Sequence, residues 1–294
     1  MKLAFFGLPL AACLLASDGH ELAVATLAPV PGPGRRRLAR VAPGAVVIDA
    51  LATEDLEGDV DAALRSAGAD LVVSWFWTRL LPARWLSAPL GAIGVHPSLL
   101  PRHRGPDPYF AAIDAGDPLT GVTVHRLEAE YDTGAILGQR TLPVGDRDAW
   151  QLARALDRPS LALLREVVGR LARGERLAET RQPDGHATWA PRPTGDALRV
   201  DWRWPTERVL RRVRALAPVP GLALELGGTR FYLTAAARAP ASALVRALAP
   251  GEAAAEAERR LLLRTGDGAL VALAGVTEDG EPLGQAALAA LAPA

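Results

Sequence analysis

The sequence predicts an α/β protein, a doubly wound and mostly parallel sheet followed by a small C-terminal β-barrel of OB-like kind. Three observations carry that expectation. From residue 1 to about 145, short unbroken apolar runs alternate with helical patterns, as strands covered by helices do. A polar stretch rich in Pro and Gly, "GERLAETRQPDGHATWAPRPTGD" (residues 174–196), then interrupts the pattern. Beyond it, "LALEL", "TRFYLTAA", "RRLLLRT" and "ALVALAGV" alternate with turns such as "GDG" and "EDG", the pattern of a small antiparallel barrel. The expected organisation is a first domain at 1–180, a linker at 181–197 and a barrel domain at 198–294.

The elements follow in order. Residues 2–6 read as a first strand, "GLP" as a tight turn and the next residues as a helix ending near Ser17. The same segment imitates a lipoprotein signal through "LAAC", but "HELAVATLAP" behind it is the second strand that a nucleotide-type fold needs next. Further strands are expected at "AVVIDA", "ADLVVSW", "GAIGVH" and "LTGVTVHRL", with a helix at "DLEGDVDAALRSAGA" whose Val60, Ala63 and Leu64 share a face. A helical stretch follows from about 147, with Pro159 predicting a kink or a break. In the second half a short helix starts at Thr206, which can serve as its cap. The Ala-rich pieces near 235–258 and 285–294 read as helix or tail.

Bulk composition narrows the function. The chain has 294 residues, 49% hydrophobic and 22% charged, with zero formal net charge, so overall electrostatics do not announce a nucleic-acid binder. Lys2 is the only lysine, and arginine carries the remaining positive charge. One cysteine, Cys13, allows neither an internal disulfide nor a cysteine-based metal site, and no metal is expected. No apolar run reaches the length of a spanning helix, which points to the cytoplasm. "FFGLP" offers one glycine where a dinucleotide fingerprint needs three.

Chemistry concentrates where strands end. His96 closes "GAIGVH" and opens the loop "PSLLPRHRG", whose prolines, glycine and basic residues have no core-packing purpose. "YDTG" (131–134) reads either as a plain turn or as a carboxylate, Asp132, held near an imidazole. Trp75, Phe76 and Trp77 leave the fourth strand as interdomain packing or as the wall of a pocket for a flat heterocycle.

"HPSLLPRHRG", followed at the right distance by "DPLTGVTVHRLEAEYDTGAIL", resembles the signature of the folate-dependent formyltransferases. "KLAFFGLP…GHELAVATL" and "RVDWRWPTERVLRRVRALAPVPG" extend the likeness over nearly the whole chain, and its layout is that of the methionyl-tRNA enzymes. The resemblance implies a Rossmann-like catalytic domain that delivers a formyl group from 10-formyltetrahydrofolate to an amine. It implies His96 and Asp132 as the catalytic pair, with Gly94 at the position where the family carries an Asn. Two residues apart on a strand, Gly94 and His96 share a face, so the missing amide is a lost oxyanion donor, worth about 3 kcal/mol. Ser98 and His125 are candidates to stand in. The backbone of Arg79, Leu80, Leu81 and Pro82, with the Tyr131, Thr133 and Gly134 loop, would form the pterin pocket. Ser98, Arg102 and Arg104 would line the loop facing donor or acceptor.

The resemblance leaves the acceptor open. "PVPGPGRRRLARVAPG" (29–44) occupies the place of a tRNA-contacting loop, and Arg35, Arg36, Arg37 and Arg40 can neutralise phosphates. Arg208, Arg211, Arg212 and Arg214 fall on one short helix. Initiator methionyl-tRNA and a small amine both remain acceptors, with neither membrane nor DNA as partner. Hydrolysis of the donor, or folate binding without turnover, are the alternatives that Gly94 keeps in view.

Overall fold

The computed structural model describes residues 1–29, 34–256 and 259–292. Along the chain come β1 (Lys2–Gly7), α1 (Pro9–Ser17), β2 (Glu21–Leu27), α2 (Arg35–Val41), β3 (Val46–Asp49), α3 (Leu56–Ala67) and β4 (Leu71–Trp75). Then follow β5 (Ala92–His96), α4 (Pro108–Ala115), β6 (Leu119–Arg126), β7 (Ile136–Pro143) and α5 (Ala149–Ala172). The remainder holds α6 (Thr206–Leu216), β8 (Leu222–Leu226), β9 (Thr229–Arg238), α7 (Ala243–Ala247), β10 (Ala253–Glu256), β11 (Arg260–Arg264), β12 (Ala269–Thr277), β13 (Pro282–Gly284) and α8 (Gln285–Ala289). Two compact units result, and neither is one uncut piece of chain. The first takes 1–106, 120–142 and 156–189; the second takes 107–119, 143–155 and 190–294.

In the first unit the strand order is β3-β2-β1-β4-β5-β6-β7. The chain therefore reverses direction of winding at β1, which has β2 on one side and β4 on the other. Pairing is parallel from β3 to β5, but β6 runs antiparallel to β5. The apolar run of β6 is equally compatible with either direction, since burial on both faces is what the run encodes. β3 departs from the buried pattern as well: Val46 and Val47 are exposed on this edge strand, and Ile48 alone is buried. At the switch point β1 and β4 come so close that a Cβ on Gly7 would lie 1.7 Å from the carbonyl oxygen of Trp75. Only glycine fits there, and its φ of 137° also excludes a side chain. Leu8 then donates its N–H to that same carbonyl, which turns the chain into α1.

Pro159 lies inside α5, which continues through it. The missing N–H weakens one turn, but Leu152, Leu156, Leu163, Leu164, Val167, Val168 and Leu171 are buried along the helix. Burying so many side chains outweighs a proline cost of about 3 kcal/mol.

The second unit is an antiparallel sheet ordered β10-β11-β12-β9-β8, with β13 added to β12. Val209, Leu210, Val213 and Leu216 of α6 pack with Leu222, Phe231, Leu233, Leu261, Leu263 and Leu270 in one core. Thr206 is the first residue of α6 but does not cap it. Asp267 does, taking the Thr206 N–H and hydroxyl at 2.7 Å each. A carboxylate from a distant turn thus satisfies an orphan donor at the positive end of the helix. The Ala-rich stretch at 235–258 supplies the end of β9, the short α7 and β10, because ladder pairing overrides alanine's helical preference. Residues 30–33 of the basic loop and 257, 258, 293 and 294 of the Ala-rich pieces lie outside the described residues.

Gly7→Ala is expected to cost on the order of 3–5 kcal/mol, because backbone must move to admit the methyl. Chemical denaturation measures it, and a loss under 1 kcal/mol would show that β1 and β4 can separate cheaply.

Candidate active site

β5 delivers His96 to the end of the sheet, and its register with β6 places Gly94 opposite His125 and His96 opposite Thr123. Opposed residues and residues two apart share a face, so all four positions look the same way. His96, Thr123 and His125 are buried.

The loop after His96 is built by short hydrogen bonds. Thr123 donates its hydroxyl to the Ser98 carbonyl (2.7 Å) and accepts from the Leu100 N–H (3.2 Å). Gln139 donates to the Leu100 carbonyl and to Thr123 Oγ1, both at 2.9 Å. His103, at a φ of 58°, turns its carbonyl back to His96 Nε2 at 2.7 Å. A carbonyl can only accept, so Nε2 carries a ring proton, and in the neutral ring Nδ1 holds the lone pair. That Nδ1 lies 3.4 Å from Asp132 Oδ2.

Asp132 reaches this position from a turn in which its own φ is 58°, a conformation aspartate tolerates better than most residues. Gly134 is obligatory two residues on, because a Cβ there would meet the Arg126 carbonyl oxygen at 2.1 Å. The Gly105 N–H donates to Asp132 Oδ2 at 2.8 Å and fixes the carboxylate. On its other side, Asp132 Oδ1 faces His125 Nε2 at 3.6 Å. His125 Nδ1 lies 2.7 Å from the Arg126 carbonyl, so it too carries its proton on the far nitrogen. Burial holds His125 down to about 4, against the pull of Asp132 in the other direction. Two imidazoles therefore turn their second nitrogens, Nδ1 of His96 and Nε2 of His125, toward one carboxylate.

Gly94 lies beside this group. A Cβ built there would come 2.6 Å from Leu127 Cδ2 and 3.6 Å from His125 Nε2. Any side chain at 94 would thus require the end of the Leu127 side chain to shift. Neither expected stand-in supplies a donor. Ser98 is fully buried and gives its hydroxyl to the Arg102 carbonyl at 2.6 Å, and neutral His125 has no proton on Nε2.

Other expected site residues separate. Trp75 is core, with its indole N–H on Ser160 Oγ at 3.0 Å, and Trp77 packs edge-on to Phe6. The aromatic exit from β4 therefore packs inside the first unit. Leu81 is buried with Trp85, whereas Arg79 and Leu80 are exposed and Pro82 opens the short turn to Trp85. Among the described residues no main-chain hydrogen bond ties Arg79, Leu80 or Leu81. Unspent donors and acceptors on that backbone suit the edge of a pterin, and in this respect the residues fit the expected ligand. Tyr131 is exposed, and Thr133 donates its hydroxyl to the Glu130 carbonyl at 3.4 Å. Arg102 is exposed, while Arg104 is held by Gln182 (3.0 Å) and stands 3.9 Å from Asp184. No group of three or more His, Cys, Asp or Glu among the described residues is arranged to hold a metal.

Sequence reasoning missed Gln139, Gln182 and Thr188. The last two lie in the stretch expected as a linker, yet they bond to the His96 and Asp132 loops. Nothing local marks them, though Thr123 was readable as the residue alternating with His125.

Three of the four arginines of α6 are engaged within the second unit. Arg212 is buried and bidentate on Asp114 (2.6 and 2.9 Å), Arg208 lies 3.9 Å over the Trp204 ring, and Arg214 is 3.6 Å from Glu207. On α2, by contrast, Arg36, Arg37 and Arg40 are exposed, and among the described residues Arg35 is the one paired, with Asp49.

A formyl transferase family model matches residues 14–168, and a model of the formyl transferase C-terminal domain matches 194–290. A methionyl-tRNA formyltransferase of Clavibacter sepedonicus is 36% identical over 249 residues, 81% of each chain. Among solved structures, HypX from Aquifex aeolicus in complex with tetrahydrofolic acid has a TM-score of 0.66 at 23% identity. That match covers 97% of this chain, which spans only 46% of HypX. An N-formyltransferase from Helicobacter canadensis, in complex with folinic acid and dTDP-3-aminofucose, has a TM-score of 0.69 at 14% identity and covers 92% and 98% of the two chains. Both structural likenesses are likenesses of fold.

The depressed His125 value has a consequence for stability. Unfolded, the ring takes a proton near pH 6.5; folded, it resists protonation down to about 4. Its contribution is complete above 6.5 and is lost as pH falls toward 4, on the order of 1–3 kcal/mol in all. Unfolding free energies of wild type and His125→Asn across pH 4–7.5 should converge on acidification. Parallel curves would mean that His125 takes its proton at the same pH in the fold as in the unfolded chain.

Proposed function

This chain belongs to the formyl transferase family, and from that premise we propose that it formylates the amino group of methionyl-tRNA with His96 and Asp132 carrying the proton. The enzyme is a formyltransferase, and 10-formyltetrahydrofolate is the donor that supplies the formyl group. The acceptor is inferred from relatives that bear the name of the methionyl-tRNA enzyme at about a third identity over four-fifths of the chain. The exposed arginines of α2 support it, since guanidinium groups suit a phosphate backbone. A cytoplasmic location goes with this reading. Among the described residues no helix is long and apolar enough to cross a membrane.

The observation that carries the reading is the 3.4 Å approach of His96 Nδ1 to Asp132 Oδ2. Its His103 bond leaves His96 one basic nitrogen, and that nitrogen can accept the proton lost by an attacking amine. Asp132 then holds the imidazolium until the proton is returned to the departing folate nitrogen. Negative charge that builds on the formyl oxygen meets no side-chain amide at position 94. The reading therefore implies a formyltransferase that works with one oxyanion donor fewer.

Tetrahydrofolate release, followed with and without charged initiator methionyl-tRNA, tests the assignment. Release should require the tRNA and should fall by about 10²–10⁴-fold in His96→Ala. Undiminished release in that variant would remove His96 from the chemistry, and release without tRNA would make water the acceptor.

Position 94 offers a second test. Gly94→Asn alone forces its Cβ against Leu127, so a gain is expected chiefly in Gly94→Asn/Leu127→Ala, where the amide has room. There kcat should rise by up to about a hundredfold. A double variant no faster than wild type would mean that position 94 does not face the developing charge.

A further inference from the structure

Gln182 lies in the segment that joins α5 to the rest of the chain, and it is only 2% exposed. Its amide Nε2 donates to the Asp132 carbonyl at 2.8 Å and to the Gly134 carbonyl at 2.7 Å. Its Oε1 accepts from Arg104 Nε at 3.0 Å. The orientation of the amide is dictated by its partners, because the two carbonyls only accept and the guanidinium only donates.

The position of Arg104 gives these bonds their meaning. It sits between His103, whose carbonyl holds His96 Nε2, and Gly105, whose N–H holds Asp132 Oδ2. One buried amide thus ties the backbone beneath the Asp132 carboxylate to the residue lying between the two groups that aim His96 and Asp132. We infer that Gln182 is a positioning residue for the His96–Asp132 pair, joining the two loops that carry it. The inference rests on the proposed formyl transfer for its consequence in rate, although the geometry it describes stands without it.

The chemical demands of the position are specific. Glutamate keeps the shape and the Arg104 partner but turns a carboxylate toward two carbonyls. Methionine keeps the volume and supplies neither donor nor acceptor. Only a primary amide satisfies all three partners at this length. A displacement of about 1 Å in a reacting group costs on the order of a hundredfold in rate, so a loosened Asp132 turn is felt in kcat.

The experiment uses the full chain as wild type, Gln182→Glu and Gln182→Met. Arg181→Lys, a change at an exposed side chain in the same segment, serves as control. Two quantities are read: kcat and KM for 10-formyltetrahydrofolate in the transfer assay, and the ring ¹⁵N resonances of His96 in protein without ligand. Both Gln182 variants should lose about a hundredfold in kcat with little change in donor KM. The His96 resonances should move while those of distant His20 stay, and the control should match wild type. A Gln182→Glu protein with wild-type kcat and unmoved His96 resonances overturns the inference. If Gln182→Met fails to fold, Gln182→Glu decides, since it preserves volume and the Arg104 contact. If wild type transfers no formyl group, the proposed function fails while the His96 resonances still decide the role of Gln182.

Discussion

The site depends on how two imidazole rings spend their protons. His96 gives an N–H to the His103 carbonyl and His125 gives its own to Arg126, which turns the second nitrogen of each ring toward Asp132. With both rings neutral two lone pairs oppose a carboxylate, and a proton shared within the group relieves that opposition. Everything around the group works to keep the rings from turning: the His103 backbone, the Gly105 amide on the carboxylate, and Thr123 holding the loop between them.

The positive charge of the chain is distributed by the same logic of commitment. Arg212 is buried with Asp114 and with the carbonyls of Ala197 and Arg199, so it organises the second unit. Breaking a buried pair of this kind typically costs about 3–5 kcal/mol, which marks it as structural. A helix dense in arginine is not, on that count alone, a surface for a polyanion. The arginines of α2 differ because most of them face solvent.

Much of this was legible in the sequence, for reasons that also explain the failures. β1 to β6 stood out because buried strands write themselves as uninterrupted apolar runs, and His96 and Asp132 because they sit in loops of unusual composition. β7 was missed: in "ILGQRTLP" most residues are at least partly exposed, so no apolar run marks it. The direction of β6, the capping of α6 by Asp267 and the role of Gln182 share a different cause. Each is a pairing between residues far apart in the chain, and local pattern carries no record of partners. The expected linker shows this most clearly, since "RQPDGHAT" has a loop's composition and a site's hydrogen bonds.

The near-absence of lysine bears on a chemistry that modifies amines. Guanidinium groups stay protonated and do not attack acyl carbon at neutral pH, so a chain built on arginine presents charge without nucleophiles. Lys2 is the one side-chain amine in the sequence, and its ammonium is 3.3 Å from Glu21. A protein that handles an activated one-carbon group thus exposes scarcely any of itself to self-acylation. The same composition gives the experimenter a chain in which an amine-directed label has, apart from the N-terminus, a single address.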